Sequence, residues 1–314
     1  MKSRTNSVGH GSSGALWLSE NISFLRMRLE GLKSKEKELT GLISEIDAYS
    51  GLYQKYTGRN LNDAKIFEIG YGARPLRLIS LQSLGFDARG IDLDAPTLAV
   101  KVSDLISVLR TNGLLRFGKT FVRSILFDTH ERRALSRVLN ARGASLSVDP
   151  SGFLVGDASE VNLGKASLDF VYSEDVFEHI PTEGITAVCR RIALATNSNG
   201  LIAISPLVHT GLSGGHLAEW FPHRQGEIFK RKSAPWEHLR QRRFTAECYL
   251  NELRIQDYIR IFEEHFEILA LENLHAGRGR RFLTDEIRAE LSAYTEEELL
   301  SDKWRFVMKP KISS

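Results

Sequence analysis

The stretch EIGYGARP, Glu68 to Pro75, sets two glycines one residue apart directly behind the apolar run Lys65-Ile66-Phe67. A short β-rich run that breaks into glycines and then into a helical pattern predicts a strand, a tight turn and a helix. Two such patterns bind phosphates, and the sequence departs from both. A dinucleotide fingerprint needs a third glycine where Pro75 stands, and a P-loop needs Gly-Lys-Ser/Thr, which does not follow. What remains is a turn with bare backbone at Gly70 and Gly72 that begins with a carboxylate, Glu68. Such a turn suits a cationic ligand better than a diphosphate.

Working outward, short β-rich runs alternate with helical segments. KIFEIG is followed by a helix near Leu76 to Leu84, then come DARGIDL, FLVGDA, LDFVYS and LIAISP. Alternation of this kind predicts a mostly parallel sheet with crossover helices. FEILALENL and WRFVMKP, with a helix over Glu247 to Phe262 before them, bring the expected number of strands to seven. In such a sheet a ligand sits beyond the carboxyl ends of the strands. Asp92 in GIDLD ends the second predicted strand and can accept from both hydroxyls of a ribose; Asp157 in VGDASE follows the third and can meet an adenine amino group. Acidic groups at three successive strand ends fit a positively charged nucleoside.

FEIGYGARP, GIDLD, VGDASE, LDFVYSEDVFEHIP and NGLIAISP, in that order, resemble the class I S-adenosylmethionine-dependent methyltransferases, in particular the group whose fourth strand runs into an E-H-[IV] segment. The resemblance spans Lys65 to Pro206 and the closing strands. It implies a Rossmann-like, doubly wound α/β fold with S-adenosyl-L-methionine as cofactor and methyl transfer as the activity. It further implies that Glu68, Gly70, Tyr71 and Gly72 shape the methionine end, that Asp92 and Leu93 hold the ribose side, and that Asp157 and Ala158 meet the adenine edge. Ser173 and Glu174 would line the mouth where cofactor meets substrate. Arg74-Pro75 departs from the third glycine of many members.

The rest of the chain adds appendages. Residues 1–14 are polar and Ser/Gly-rich, which predicts a disordered tail. Over 15–60, Leu18, Ile22, Leu25, Leu29, Leu32, Leu39, Ile43, Ile46 and Tyr53 recur in steps of three and four, a heptad seam. Gly31, Gly41 and Gly51 weaken a helix by about 1 kcal/mol each. The reading is therefore two helices packed on the body, with a homodimer through this segment as the other use of the seam. The methyltransferase domain, 61–314, carries insertions at 98–144 and 207–245. In the first, Leu114, Phe117, Phe121 and Ile125 share one helical face and Arg116, Lys119 and Arg123 another, predicting a lid or a helix in peripheral contact with a membrane. In the second, His209, His216 and His223 stand beyond the fifth strand. His209 and His216 are the candidate bases, because a hydroxyl acceptor must lose a proton. Trp220, Phe221 and Trp236, interleaved with Arg and Lys, suggest a stacking face for a sugar.

Composition sets the outer limits. The 314 residues are 42% hydrophobic and 26% charged with a net charge of +3, which makes a large core available and lacks the dense basic stripe of a nucleic-acid binder. Cys189 and Cys248 stand alone, far from any disulfide or zinc spacing, so the sequence gives no metal site and fits a reducing, cytoplasmic setting. His209, His216 and Glu219 match no metal signature. The functional expectation is O-methylation of a glycan or other hydroxyl-bearing small molecule. Two rivals remain: an RNA methyltransferase, and a non-catalytic cofactor-binding partner subunit.

Overall fold

The computed structural model describes residues 14–96, 98, 129–221, 231, 233–243 and 248–311, with side chains in the first helix from Lys35 onward. The basic amphipathic segment Leu114 to Ile125 and His223 lie outside the described residues. In chain order the elements are α1 (Gly14–Thr57), β1 (Lys65–Ile69), α2 (Leu76–Ser83), β2 (Asp87–Asp92), α3 (Thr129–Asn140), β3 (Phe153–Val155), β4 (Leu168–Glu174), α4 (Thr182–Ala195) and β5 (Thr196–Ser205). They continue with α5 (Ile255–Glu263), β6 (Phe266–Asn273), α6 (Asp285–Glu290), α7 (Glu296–Leu299) and β7 (Trp304–Pro310).

Seven strands form one sheet in the order β3-β2-β1-β4-β5-β7-β6. The pairs from β3 through β5 are parallel, whereas β7 runs antiparallel to both β5 and β6. Chain order reverses between β1 and β4, so β1 has β2 on one side and β4 on the other. The loops after these two strands diverge to opposite faces and leave a crevice at their carboxyl ends, the usual ligand position in open α/β sheets.

Strand periodicity divides the core in two. Ile66, Phe170, Tyr172, Leu201 and Ala203 face α1, α2 and α3. Phe67, Ile69, Val171, Ile202 and Ile204 face α4 and α5. At the amino ends of the strands Asp169 ties the layers together, accepting from the Lys65 amide, Arg59 and Asn197. A third, smaller core joins Leu212, Trp220 and Trp236 of the second insertion to Leu283, Ile287, Leu291, Leu299 and Leu300 of the β6–β7 connection.

The helical segment differs from the expectation of two helices: α1 is continuous for 44 residues. Gly41 and Gly51 have open space where a side chain would stand, so they lie on the outer side and the helix passes through them. Leu39, Ile43, Ile46, Tyr49 and Tyr53 are buried, with both tyrosines packed on Phe170 and Tyr49 also on Tyr172. Burying side chains of this size stabilises by roughly 1.5–3 kcal/mol each, which outweighs the glycines. From Leu39 onward the apolar seam is therefore occupied by the chain's own sheet. Salt bridges from Arg142 to Asp47 and from Lys35 to Glu131 fasten α1 to α3.

Candidate active site

The site is built at the carboxyl ends of β1 and β2. Gly70 and Gly72 take φ of +79° and +71°, a region that side-chain-bearing residues adopt at a cost. A Cβ on Gly70 would lie 2.3 Å from a Val176 methyl, so β1 can turn beneath the loop after β4 only without a side chain. At Gly72 the same test meets nothing within 4 Å, leaving bare backbone toward open space. Asp92 fixes this turn. Its Oδ2 accepts the Gly72 amide at 2.8 Å and its Oδ1 the Asp94 amide at 2.9 Å. Partial burial raises the Asp92 pKa, against the lowering effect of these amides. Each oxygen keeps a further lone pair for a ligand hydroxyl.

Arg74-Pro75, where a third glycine was absent, has a structural explanation. Arg74 reaches Glu131 of α3 at 3.2 Å, and Glu131 is buried between Arg74 and Lys35. Pro75 precedes the first turn of α2, where its missing N–H is not needed. Beside Asp92, Leu93 is 69% exposed, and Val155 at the end of β3 is also exposed. Two apolar side chains on the surface next to a half-buried carboxylate make a platform for a planar ring with an attached diol. Asp157 is exposed in the following loop, where its Oδ1 accepts the Ser159 amide, and Ala158 is half-buried beside it.

Four expected contact residues sit elsewhere. Glu68 is fully buried under α1 rather than open to a cation, and Arg77 of α2 answers its charge at 3.3 Å while also binding Glu45 of α1 at 3.0 Å. Burial raises the Glu68 pKa to about 7. Tyr71 turns inward on Phe153 and donates its hydroxyl to the Leu154 carbonyl, bracing the loop against β3. Ser173 is buried with its hydroxyl on the Ile69 carbonyl, pinning β4 to β1. Glu174 is buried among Tyr49, Ser205, Lys303 and Arg305; desolvation works to raise its pKa, but Lys303 and Arg77 outweigh it and hold the carboxyl below the usual range. These four shape the site from beneath. Strand alternation turns Glu68, Tyr172 and Glu174 to the face covered by α1, whereas Ser173 lies on the opposite face of β4 and Tyr71 in the loop after β1.

The histidines beyond β5 separate into two pairs. The rings of His209 and His238 meet edge to face at 5.0 Å, and burial lowers the His209 pKa. The ring of His216 lies 4.8 Å from that of His179 and 6.0 Å from Phe221, and burial lowers its pKa to about 4. Trp220 and Trp236 are buried in the third core, so they offer no stacking face. The ring of Phe221 packs beside His216, while Tyr249 meets His179 through its backbone carbonyl and leaves its side chain exposed. No helix among the described residues is long and apolar enough to cross a membrane.

No known family model matches the chain, and no curated protein matches it significantly in sequence. Among solved structures it is similar to an S-adenosylmethionine-dependent methyltransferase from Mesorhizobium loti, with a TM-score of 0.40 and 12% identity over 79% of this chain and 92% of that one. It is similar to a TehB-like methyltransferase from Corynebacterium glutamicum, with a TM-score of 0.41 and 14% identity over 93% and 98%. It is also similar to the geranyl diphosphate C-methyltransferase of Streptomyces coelicolor, with a TM-score of 0.41 and 10% identity over 84% and 75%. Within the sheet of this chain, β7 lies antiparallel between β5 and β6. The sheet is doubly wound, mostly parallel and Rossmann-like, as the sequence patterning implied. The E-H-[IV] segment, here Glu178-His179-Ile180, follows β4 directly.

Proposed function

We propose that the protein is an S-adenosylmethionine-dependent methyltransferase acting on a hydroxyl of a glycan or other small molecule. The observation that carries this reading is the β1–β2 crevice: bare backbone at Gly72 hydrogen-bonded to the half-buried carboxylate of Asp92, with Leu93 exposed beside it. Asp92 would hold the ribose diol, and Leu93 with Val155 would cover a face of the adenine. Asp157 would lie near the exocyclic amine. The cofactor supplies a methyl group already activated on sulfonium. The chain's part is to align the acceptor in line, which can supply about 7–11 kcal/mol of barrier reduction.

A hydroxyl acceptor must also lose a proton. His209 and His216 are both held neutral at physiological pH, so each has a free ring lone pair for this. With its pKa pushed by burial to about 4, His216 is a weak base; burial lowers His209 as well. Phe221 beside His216 and the exposed Tyr249 would be the aromatic side chains to stack a sugar ring.

Calorimetry with S-adenosylmethionine and S-adenosylhomocysteine tests the cofactor assignment. Asp92→Ala removes a charge-assisted pair of hydrogen bonds, so affinity should fall about 10- to 100-fold. No heat with either compound in the wild type, or unchanged affinity in the variant, would refute the reading. Labelled methyl transfer into fractionated glycans, lipids, RNA and small metabolites then identifies the acceptor.

A further inference from the structure

The turn Phe177–His179, which follows β4, brings two side chains toward His216. Asn251 clamps this turn: its Nδ2 donates to the carbonyls of Phe177 and Ile180, and its amide donates to the Glu178 carbonyl. His179 Nδ1–H donates to the Tyr249 carbonyl at 2.9 Å, which leaves Nε2 as the ring atom with a lone pair. His216 enters from the opposite side. The turn Ser213–His216 is tight enough that a Cβ on Gly215 would lie 2.6 Å from His238, and His216 itself takes φ of +55°. Its Nδ1 lies 4.0 Å from the sulfur of Cys248. One donor atom each from His179, His216 and Cys248 can be chosen so that all lie within 4.8 Å of one another.

A second observation points into the same place. Glu178 is buried to 3% exposure, and neither carboxylate oxygen makes a hydrogen bond of good geometry among the described residues, although the amides of Glu178 and Leu207 face it. His216 Nε2, 3.9 Å from Glu178 Oε1, is also without a hydrogen bond. A buried carboxylate and a buried ring nitrogen that face each other unsatisfied need an explanation. Binding at His216 Nδ1 supplies one. It fixes the proton on Nε2 and aims it at Glu178, the carboxylate–histidine–metal arrangement that orients ligating imidazoles.

We propose that His179 Nε2, His216 Nδ1 and the Cys248 thiolate bind a divalent transition metal of the zinc class, with Glu178 as the carboxylate behind His216. Two imidazoles and a thiolate form a borderline-soft donor set that suits zinc and disfavours magnesium or calcium. Bond lengths of about 2.0–2.3 Å put tetrahedral ligands about 3.3–3.8 Å apart, so the donors need to close by up to about 1.5 Å. Three protein ligands leave a fourth position open. The sequence weighed His216 with His209 and Glu219 and found no metal spacing; the fold instead supplies partners that are distant in the chain. Nothing in the donor set depends on the methyl cofactor.

Cobalt(II) titration of the full chain after chelator treatment tests this. One equivalent should produce a thiolate-to-cobalt charge-transfer band with intense visible bands of four-coordinate cobalt, and zinc should displace both. Cys248 is exposed, so Cys248→Ser leaves packing intact, as circular dichroism would verify; this variant should lose the charge-transfer band. Glu178→Gln should keep the band and weaken affinity 10- to 100-fold. His216→Gln should weaken it at least as much. The absence of the band in the wild type, its persistence in Cys248→Ser, or equal affinity in His216→Gln would overturn the site.

Discussion

Replacing Glu68 by Gln gives a direct reading of the buried charge beneath α1. Desolvation lifts the Glu68 pKa from its ordinary 4.5 to about 7, so the folded state holds a proton that the unfolded chain has released between those values. Stability contributed by this group is therefore full below pH 4.5 and falls as pH rises to about 7. A rise of about 2.5 pH units at about 1.4 kcal/mol each corresponds to about 3.5 kcal/mol between the two limits. Gln keeps the shape and can still accept from Arg77, but it does not titrate. Lowering of the Glu174 pKa works in the opposite sense and is common to both proteins, so it largely cancels in their difference. Urea unfolding at pH 5 and pH 8 should show the variant gaining about 2–3 kcal/mol on the wild type across the interval, roughly 1 M in midpoint. A difference that does not change with pH would mean that Glu68 stays ionised throughout, its charge fully met by Arg77, and the argument from burial would fail.

Gly70→Ala would place a methyl against Val176 and hold an L-residue at φ +79°, so cofactor affinity should drop tenfold or more in calorimetry. A correctly folded variant with wild-type affinity would show that the turn is not the cofactor's seat. Trp236→Ala opens the third core and also leaves the Leu299 carbonyl without its indole donor. Loss of about 3–5 kcal/mol is expected in urea unfolding, against less than 1 kcal/mol if the insertion merely rested on the body.

Much of the fold was legible because strand patterning is local. The seven expected strands occur where the apolar runs stood, and Asp92 ends β2 as the GIDLD stretch suggested. The helix before β6 begins only at Ile255, because Asp257 reaches back to the Arg254 amide and Asn251 is engaged with the β4 turn. What the sequence hid was direction and distance. Glu68 sits on the same face of β1 as Ile66, and alternation hinted at its burial, but the partner that neutralises it belongs to another element. Trp220 and Trp236 looked like a sugar platform because their covering residues, Leu283 to Leu300, come after β6. His216 and Cys248 are 32 residues apart, with no local spacing to reveal that they meet.

The place of β7 in the sheet has a consequence for biosynthesis. β6 touches the sheet only through β7, and the flank of β5 stays open until β7 arrives. While a ribosome is still making residues 304–310, β6 has no strand to join and the apolar flank of β5 is uncovered. The nascent chain must keep these edges from neighbours until the stretch from Trp304 to Pro310 has emerged, and the sheet closes only in that final step.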